Sequence, residues 1–211
     1  MLGVHDDSFD SAPKRIRRRV EKILDPHLRW RLGARATAPY WRWRFASFGP
    51  ESILWRPDWV YRPHQMTIGT RVWIGPSAWL EVGPPAANGN EAVLQIGNDV
   101  VLRHHVTISA AESVVIEDAV LIAAWSSIYD SDHTLGPTGN PIWYPHRTAP
   151  VRIGYGSWIG ERVAVLRGAD VGRHCIIGAN SVVRGKIPDC SIAVGAPARV
   201  VGTTLDMVGE S

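Results

Sequence analysis

The stretch that decides the fold is residues 153–188, which read IGYGSW, IGERVA, VLRGAD, VGRHCI, IGANSV and VRGKIP in blocks of six. Every block begins with Ile or Val, and four of the six have glycine in the second place. The fifth place holds a small or apolar residue throughout. Six consecutive blocks in one phase indicate an internal repeat.

The same phase appears upstream in shorter runs that begin at Ile68, Ile96 and Ile116. A period of six fits neither a helix nor one continuous strand, so each block is interpreted as a short strand ending in a turn. Three blocks close one coil, and stacked coils place Ile159 under Ile177 at the parallel-sheet spacing of about 4.8 Å. The pattern predicts an all-β solenoid of about five coils.

Composition limits what surrounds this solenoid. The chain has 211 residues, 45% hydrophobic and 20% charged, which favours one globular domain with appendages. It has no apolar run of transmembrane length, and its N-terminus contains Asp6 and Asp7 where a signal peptide would be apolar. We therefore expect a cytoplasmic protein. Two cysteines, Cys175 and Cys190, are too few for a disulfide framework and are predicted to be free thiols.

The positive charge is concentrated in residues 1–62, which hold 13 Lys+Arg and 7 Asp+Glu. Residues 14–31 have apolar side chains at helical spacing with basic residues on the other face, which predicts an amphipathic helix. Tryptophan and arginine alternate after it. We expect residues 1–62 to cap the open end of the solenoid, with a peripheral membrane contact through residues 14–62 as the alternative. No nucleic-acid-binding module accompanies the basic run, so no nucleic acid is expected as a partner.

The repeat, together with AWSSIYDSDHT at residues 124–134 and GANSVV at residues 178–183, resembles the left-handed β-helix hexapeptide-repeat acyltransferases, in their sugar and xenobiotic O-acetyltransferase branch. The resemblance implies a left-handed parallel β-helix over residues 63–202, followed by a tail at residues 203–211. It also implies a homotrimer that uses acetyl-CoA as acyl donor, without a metal, to acetylate a hydroxyl of a sugar, glycolipid or polysaccharide precursor.

A long insertion at residues 130–150 interrupts the repeat, and such loops often carry function. It contains Asp130, Asp132 and His133, and an imidazole beside carboxylates suits a general base near neutral pH. By resemblance, His133 removes the proton of the acceptor hydroxyl, with Asp130 and Asp132 beside it. His146, at the far end of the same loop, is the competing candidate.

The acceptor is expected to contact residues in and below this loop. His104 and His105 lie in the block LRHHVT, near the position where relatives bind the acceptor. A histidine there can hydrogen-bond a sugar hydroxyl, although an ordinary surface histidine at a corner remains equally plausible. The expected acceptor-binding residues are His104, His105, Tyr129, Trp143 and His146.

The donor is expected to lie along the last coils, in a slot between neighbouring subunits, as the resemblance implies. Small residues there would let the pantetheine arm approach the backbone. The phosphates of coenzyme A require cations, for which Arg199 is the first choice. The predicted donor-binding residues are Trp158, Gly160, Glu161, Gly178, Ala179, Ser181, Arg184, Lys186 and Arg199.

Other functions fit the repeat less well. An N-acetyltransferase acting on a xenobiotic or an amino sugar remains open, because loops build acceptor pockets. A zinc hydratase of the γ-type carbonic anhydrase class would need three histidine ligands, and the histidine spacing argues against that set. A non-catalytic assembly subunit would need the repeat alone, without the loop histidine or the donor-side motif.

Overall fold

The computed structural model describes residues 36–83, 93–137 and 146–209. In these ranges residues 36–44 are helical, and two 3₁₀ helices span Pro63–Gln65 and Thr204–Gly209. The strands, in chain order, are β1 (Ser47–Phe48), β2 (Ile53–Leu54), β3 (Trp59–Tyr61), β4 (Met66–Ile68), β5 (Trp73–Ile74), β6 (Trp79–Val82), β7 (Val93–Ile96), β8 (Val101–Leu102), β9 (Thr107–Ala110), β10 (Ser113–Ile116), β11 (Leu121–Ile122), β12 (Ser127–Tyr129), β13 (Ser131–Asp132), β14 (Arg147–Thr148), β15 (Val151–Ile153), β16 (Trp158–Ile159), β17 (Ala164–Val165), β18 (Asp170–Val171), β19 (Ile176–Ile177), β20 (Val182–Val183), β21 (Lys186–Ile187), β22 (Ser191–Val194) and β23 (Arg199–Thr203).

Successive strands form three flat faces that follow one another in a constant order. Face 1 contains β1, β4, β7, β10, β15, β18 and β21; face 2 contains β2, β5, β8, β11, β16, β19, β22 and β23; face 3 contains β3, β6, β9, β12, β17 and β20. Neighbouring strands within a face are parallel, apart from the antiparallel pair β22 and β23. The predicted stacking is confirmed, since Ile159 pairs in register with Ile177.

The interior is filled by the first residue of each six-residue block. On face 2, Leu102, Ile122 and Ile159 lie in one continuous row. Each of these side chains is fully buried. Because every coil buries aliphatic side chains against the next one, the solenoid is stabilised mainly by contacts between neighbouring coils.

The second and fourth places of the block have separate physical roles. Glycine is needed in the second place because the coils approach closely there: a methyl group on Gly160 would lie 2.7 Å from Ala179 N. The positive φ angle that turns the corner falls on the fourth place instead, at His105 (φ 57°), Trp125 (φ 64°) and Arg162 (φ 55°). The residue that turns the corner is therefore the fourth of each block, two positions after the glycine.

The solenoid is longer than the about five coils that the sequence predicts. Its three faces hold seven, eight and six strands. An additional first coil begins at Ser47, inside the segment that the sequence assigns to the cap, and pairs with the next coil through Phe48 and Ile68. Phe48, Leu54 and Val60 keep the spacing of six, but glycine follows only Phe48, and Phe48 itself is an aromatic residue in place of Ile or Val.

Three sequence predictions fall on residues outside the described ranges. They concern the amphipathic helix at residues 14–31, the part of the insertion at residues 130–150 that spans residues 138–145, and Trp143 within that part. Within the described ranges, the helices are too short and too polar to span a bilayer.

Candidate functional site

The loop at residues 130–150 leaves the solenoid at the corner between face 3 and face 1. Its two ends are joined by β13 and β14, which pair antiparallel with Ser131 opposite Thr148 and Asp132 opposite Arg147. Ala149 N also donates to Asp130 O at 3.0 Å. The base of the loop is therefore a short two-stranded ribbon fixed to the solenoid.

This ribbon brings His133 and His146 together. His133 comes directly after Asp132 and His146 directly before Arg147, the last pair of the ribbon. Their ring centroids are 4.2 Å apart and the ring planes are at 71° to each other. Both side chains are exposed. The two candidate bases, which are far apart in sequence, therefore lie at one place and are open to a substrate.

Asp132 is held by an arginine that the sequence analysis missed. Arg167 Nε donates to Asp132 Oδ2 at 2.8 Å, so the next coil is tied to the base of the loop. Arg167 occupies the third place of the block VLRGAD, whose glycine stands fourth instead of second. This shifted glycine was the feature of the sequence that could have indicated a special role for Arg167.

The side chain of Asp130, predicted to lie beside His133, points to the preceding coil instead. Its side chain is fully buried, and its carboxylate accepts hydrogen bonds from the backbone N–H groups of Ala111 (2.6 Å), Glu112 (2.8 Å) and Ser113 (2.7 Å). Burial raises the pKa of Asp130, an effect that the three backbone donors oppose. Asp130 therefore anchors the loop to the preceding coil, because its carboxylate is directed at that turn.

His104 and His105 lie at a different corner, between face 2 and face 3. The ring of His105 stacks on Trp125 with centroids 3.8 Å apart and planes at 9°. Trp125, half exposed at the corresponding corner of the next coil, was not singled out in the sequence. Tyr129, by contrast, ends β12 immediately before the loop and is exposed.

The predicted donor residues lie mainly along this second corner and face 2. Trp158 and Glu161 are exposed, whereas Gly160 and Gly178 are required for close packing: a methyl group on Gly178 would lie 2.7 Å from Val194 Cγ1. Ser181 differs from its predicted role. Its side chain is fully buried and its Oγ accepts from Gly195 N at 3.0 Å, so it faces away from an external ligand.

The three cationic residues among the predicted donor-binding residues lie in the last coil of the solenoid. Arg184, Lys186 and Arg199 are all exposed, and none forms an ion pair with the residues that the structure describes. They leave an uncompensated positive charge at this end. Such a surface suits the phosphate groups of a ligand.

Two grooves lie on the outside of the solenoid. A groove of about 540 Å³ beside Trp158 is lined by His174, Leu205 and Met207 and lies under the C-terminal 3₁₀ helix. A larger groove of about 640 Å³ lies where faces 1 and 2 meet, between Glu117 and Arg173, and contains none of the predicted site residues. The first groove therefore adjoins the predicted donor surface, and the second does not.

The cysteines are both free. Burial raises the pKa of the Cys175 thiol, whose Sγ lies 3.0 Å from Pro188 O. Across the described ranges, His, Cys, Asp and Glu side chains do not assemble into a group of three that could hold a metal ion.

Comparison with known proteins confirms the resemblance that the repeat indicates. Residues 150–185 match the family model described as "Bacterial transferase hexapeptide (six repeats)". A Mycobacterium tuberculosis protein named a probable acetyltransferase is 64% identical over 53 residues, which cover 25% of this chain and 18% of that protein. A protein of Escherichia coli K12, WbbJ, bears the name of an O-acetyl transferase of lipopolysaccharide biosynthesis and is 39% identical over 71 residues, 34% of this chain and 36% of its own length.

These matches are partial, since the chain spans less than two-fifths of the length of either curated relative.

Solved structures are similar over more of the chain. A mutant of AntD, an N-acyltransferase from Bacillus cereus in complex with dTDP and coenzyme A, superposes with a TM-score of 0.66 at 20% identity, over 82% of this chain and 93% of that one. A galactoside acetyltransferase in complex with coenzyme A superposes with a TM-score of 0.55 at 20% identity, over 93% of each chain. At this identity the likeness concerns the fold.

Proposed function

We propose, from the premise that residues 150–185 carry the repeat of the bacterial hexapeptide transferases, that this protein is an acetyl-CoA-dependent O-acyltransferase. Its acceptor is a hydroxyl of a sugar, glycolipid or polysaccharide precursor. The observation that carries the proposal is the exposed pair His133 and His146 at the base of the loop. The coil is left-handed, as in the family that it resembles.

In the proposed reaction, His133 accepts the proton of the acceptor hydroxyl as that oxygen attacks the thioester carbonyl. The tetrahedral intermediate collapses to the acetyl ester, and the proton on His133 passes to the departing thiolate of coenzyme A. No acyl-enzyme forms in this scheme. Cys175 is buried and its pKa is raised, which makes it a poor nucleophile.

The location of the predicted residues supports the homotrimer. His133 lies at the corner between faces 3 and 1, whereas Trp158 and Glu161 lie on face 2 and at the corner between faces 2 and 3. These corners are separated by the width of face 3, whose strands hold two to four residues, so the separation is roughly 10 Å. Direct transfer therefore requires one subunit to bring its loop against the donor-binding corner of a neighbour.

Acetyl transfer from radiolabelled acetyl-CoA to a panel of sugars and glycans tests the function. His133→Ala should lower turnover by about a hundred- to ten-thousand-fold while acetyl-CoA affinity stays unchanged. The panel should include amino sugars, because AntD is an N-acyltransferase. Acetylation of an amine instead of a hydroxyl would replace the O-acyltransferase proposal by the N-acyltransferase alternative.

A complementation experiment tests the shared site. Chains carrying His133→Ala and chains carrying Trp158→Ala should each be impaired alone. When both are co-expressed, mixed trimers should recover part of the activity, because some sites then combine an intact loop with an intact donor surface. Recovery would fail if each chain held a complete site.

A further inference from the structure

The outer surface of face 3 carries two rows of side chains that run along the solenoid. One row contains Trp59, Trp79, Thr107 and Ser127, and the other contains Tyr61, Glu81, Ser109 and Tyr129, as the strand register fixes. All of these side chains point outward, since the residues between them are buried or partly buried. The second row ends where the loop with His133 begins.

Trp59, Tyr61 and Trp79 form an exposed cluster of nearly parallel rings, which we call the aromatic platform. The rings of Trp59 and Trp79 are 5.3 Å apart at 22°, and those of Trp59 and Tyr61 are 6.2 Å apart at 20°. The three residues remain 44%, 48% and 40% exposed, in the order Trp59, Tyr61, Trp79. Three large aromatic side chains left together in solvent indicate a binding surface.

Fixed polar groups continue the platform towards the loop. Trp79 Nε1 donates to Glu81 Oε2 at 3.0 Å, and Ser109 Oγ donates to Glu81 Oε1 at 3.5 Å. The carboxylate is thereby held in one orientation beside the rings. Its oxygens have further lone pairs with which to accept hydrogen bonds from a ligand.

The distance from the aromatic platform to the loop, measured along the second row, sets the minimum length of a ligand that contacts both. Glu81 and Tyr129 are separated by two strand spacings, about 10 Å in all. His133 lies four residues beyond Tyr129 in the loop. A ligand that touches both the aromatic platform and His133 is therefore longer than one sugar ring.

We propose that the aromatic platform binds a second part of the acceptor, and that the acceptor is an oligosaccharide or polymeric glycan. This inference rests on the proposed acyltransferase function. The apolar face of a sugar ring stacks on the platform, its hydroxyl groups bond Glu81 and Ser109, and the chain extends along face 3 to present one hydroxyl to His133.

The Glu81 carboxylate beside the aromatic platform favours a carbohydrate ligand over a second protein copy or a lipid surface. A second protein copy placed on this surface would remove the Glu81 carboxylate from water, which is unfavourable without a cation to pair with it. An anionic lipid surface would be repelled by the same carboxylate. A neutral sugar can satisfy the carboxylate with hydroxyl donors and still cover the rings.

Calorimetric titration of the full chain with cellohexaose, maltohexaose and chitohexaose, and with glucose and N-acetylglucosamine, tests the proposal. At least one hexasaccharide should bind about tenfold or more tightly than its monosaccharide, and Trp79→Ala should weaken it by about tenfold. Glu81→Gln should also weaken binding of the hexasaccharide. The matched control is Trp43→Ala, which removes a tryptophan 79% exposed on the helix at residues 36–44 and should leave affinity unchanged.

Three results would overturn the proposal. They are equal affinity for monosaccharides and hexasaccharides, unchanged hexasaccharide binding in Trp79→Ala, and a change in sedimentation mass in that variant, which would make the platform a contact between subunits. Acetyl-CoA affinity, measured on the same samples, should not depend on Trp79. Failure of wild-type protein to bind acetyl-CoA would remove the proposed enzymatic function, whereas failure to prefer hexasaccharides would remove the platform proposal alone.

Discussion

The imidazole rings of His133 and His146 lie with their centroids 4.2 Å apart because the ribbon of β13 and β14 closes the base of the loop. Thirteen positions separate the two histidines in the sequence. With the rings side by side, one histidine can take the proton while the other contacts the same acceptor. Their roles must therefore be separated by kinetics.

His146→Ala should raise the acceptor KM and change kcat less, because His146 is proposed to bind the acceptor rather than to take its proton. Steady-state kinetics with varied acceptor at saturating acetyl-CoA measures both constants. A fall in kcat as large as that of His133→Ala, at unchanged KM, would instead make His146 the base.

The ion pair between Arg167 and Asp132 is expected to position the loop. Arg167→Ala should lower kcat by about ten- to a hundredfold, since a displacement of about 1 Å at the base is costly. Its effect on stability should stay below about 1 kcal/mol because the pair is partly exposed. A double-mutant cycle with Asp132→Ala should be strongly non-additive in kcat.

Arg71→Ala is the matched control for this experiment, since it breaks the exposed pair of Arg71 and Asp99 at another corner. It should leave kcat unchanged. Equal losses in Arg167→Ala and Arg71→Ala would show a general effect of losing surface charge and contradict a positioning role.

Asp130→Ala should destabilise the fold by about 1–3 kcal/mol, because three partly buried backbone N–H groups lose their acceptor. For a chain of this size each kcal/mol corresponds to roughly 2–4 °C in Tm. Thermal unfolding measures the change. Asp99→Asn, at an exposed site, should have almost the Tm of the wild type, and an equally stable Asp130→Ala variant would refute the anchoring role.

Arg199→Ala should weaken coenzyme A binding by about ten- to a hundredfold, the value of a charge-assisted contact with phosphate. The chemical step at saturating donor should be unchanged. Titration with coenzyme A and with 3′-dephospho-coenzyme A locates the contact, because the variant should no longer distinguish them if Arg199 binds the 3′-phosphate. Arg42→Ala, on the helix at residues 36–44, is the control, and identical affinities in the two variants would exclude Arg199 from the donor site.

The repeat made most of the fold predictable. Its aliphatic first places become the buried rows of the interior, and Ile159 stacks on Ile177 as the spacing requires. The first coil escaped prediction because it starts with an aromatic residue, Phe48, and because glycine follows only that residue and not Leu54 or Val60. Glycine in the second place of a block reflects close packing between coils. Where the structure accommodates another residue at that place, the sequence lacks this signal of the repeat.

The candidate site was only partly predictable. Residue type and resemblance identified His133, but the contact with His146 depends on the ribbon register, and the burial of Asp130 depends on the turn of the preceding coil. Arg167 and Trp125 come from neighbouring coils. Contacts of this kind are set by stacking in three dimensions, which a linear motif does not specify.

We infer that the chain transfers an acyl group from acetyl-CoA. The most direct measurement is a calorimetric titration of the purified protein with acetyl-CoA, together with a zinc determination on the same sample. We expect saturable binding with a Kd in the range of about 1 μM to 1 mM, typical of enzyme substrates, without stoichiometric zinc. No binding at millimolar acetyl-CoA, with one zinc bound per chain, would contradict it and favour the hydratase.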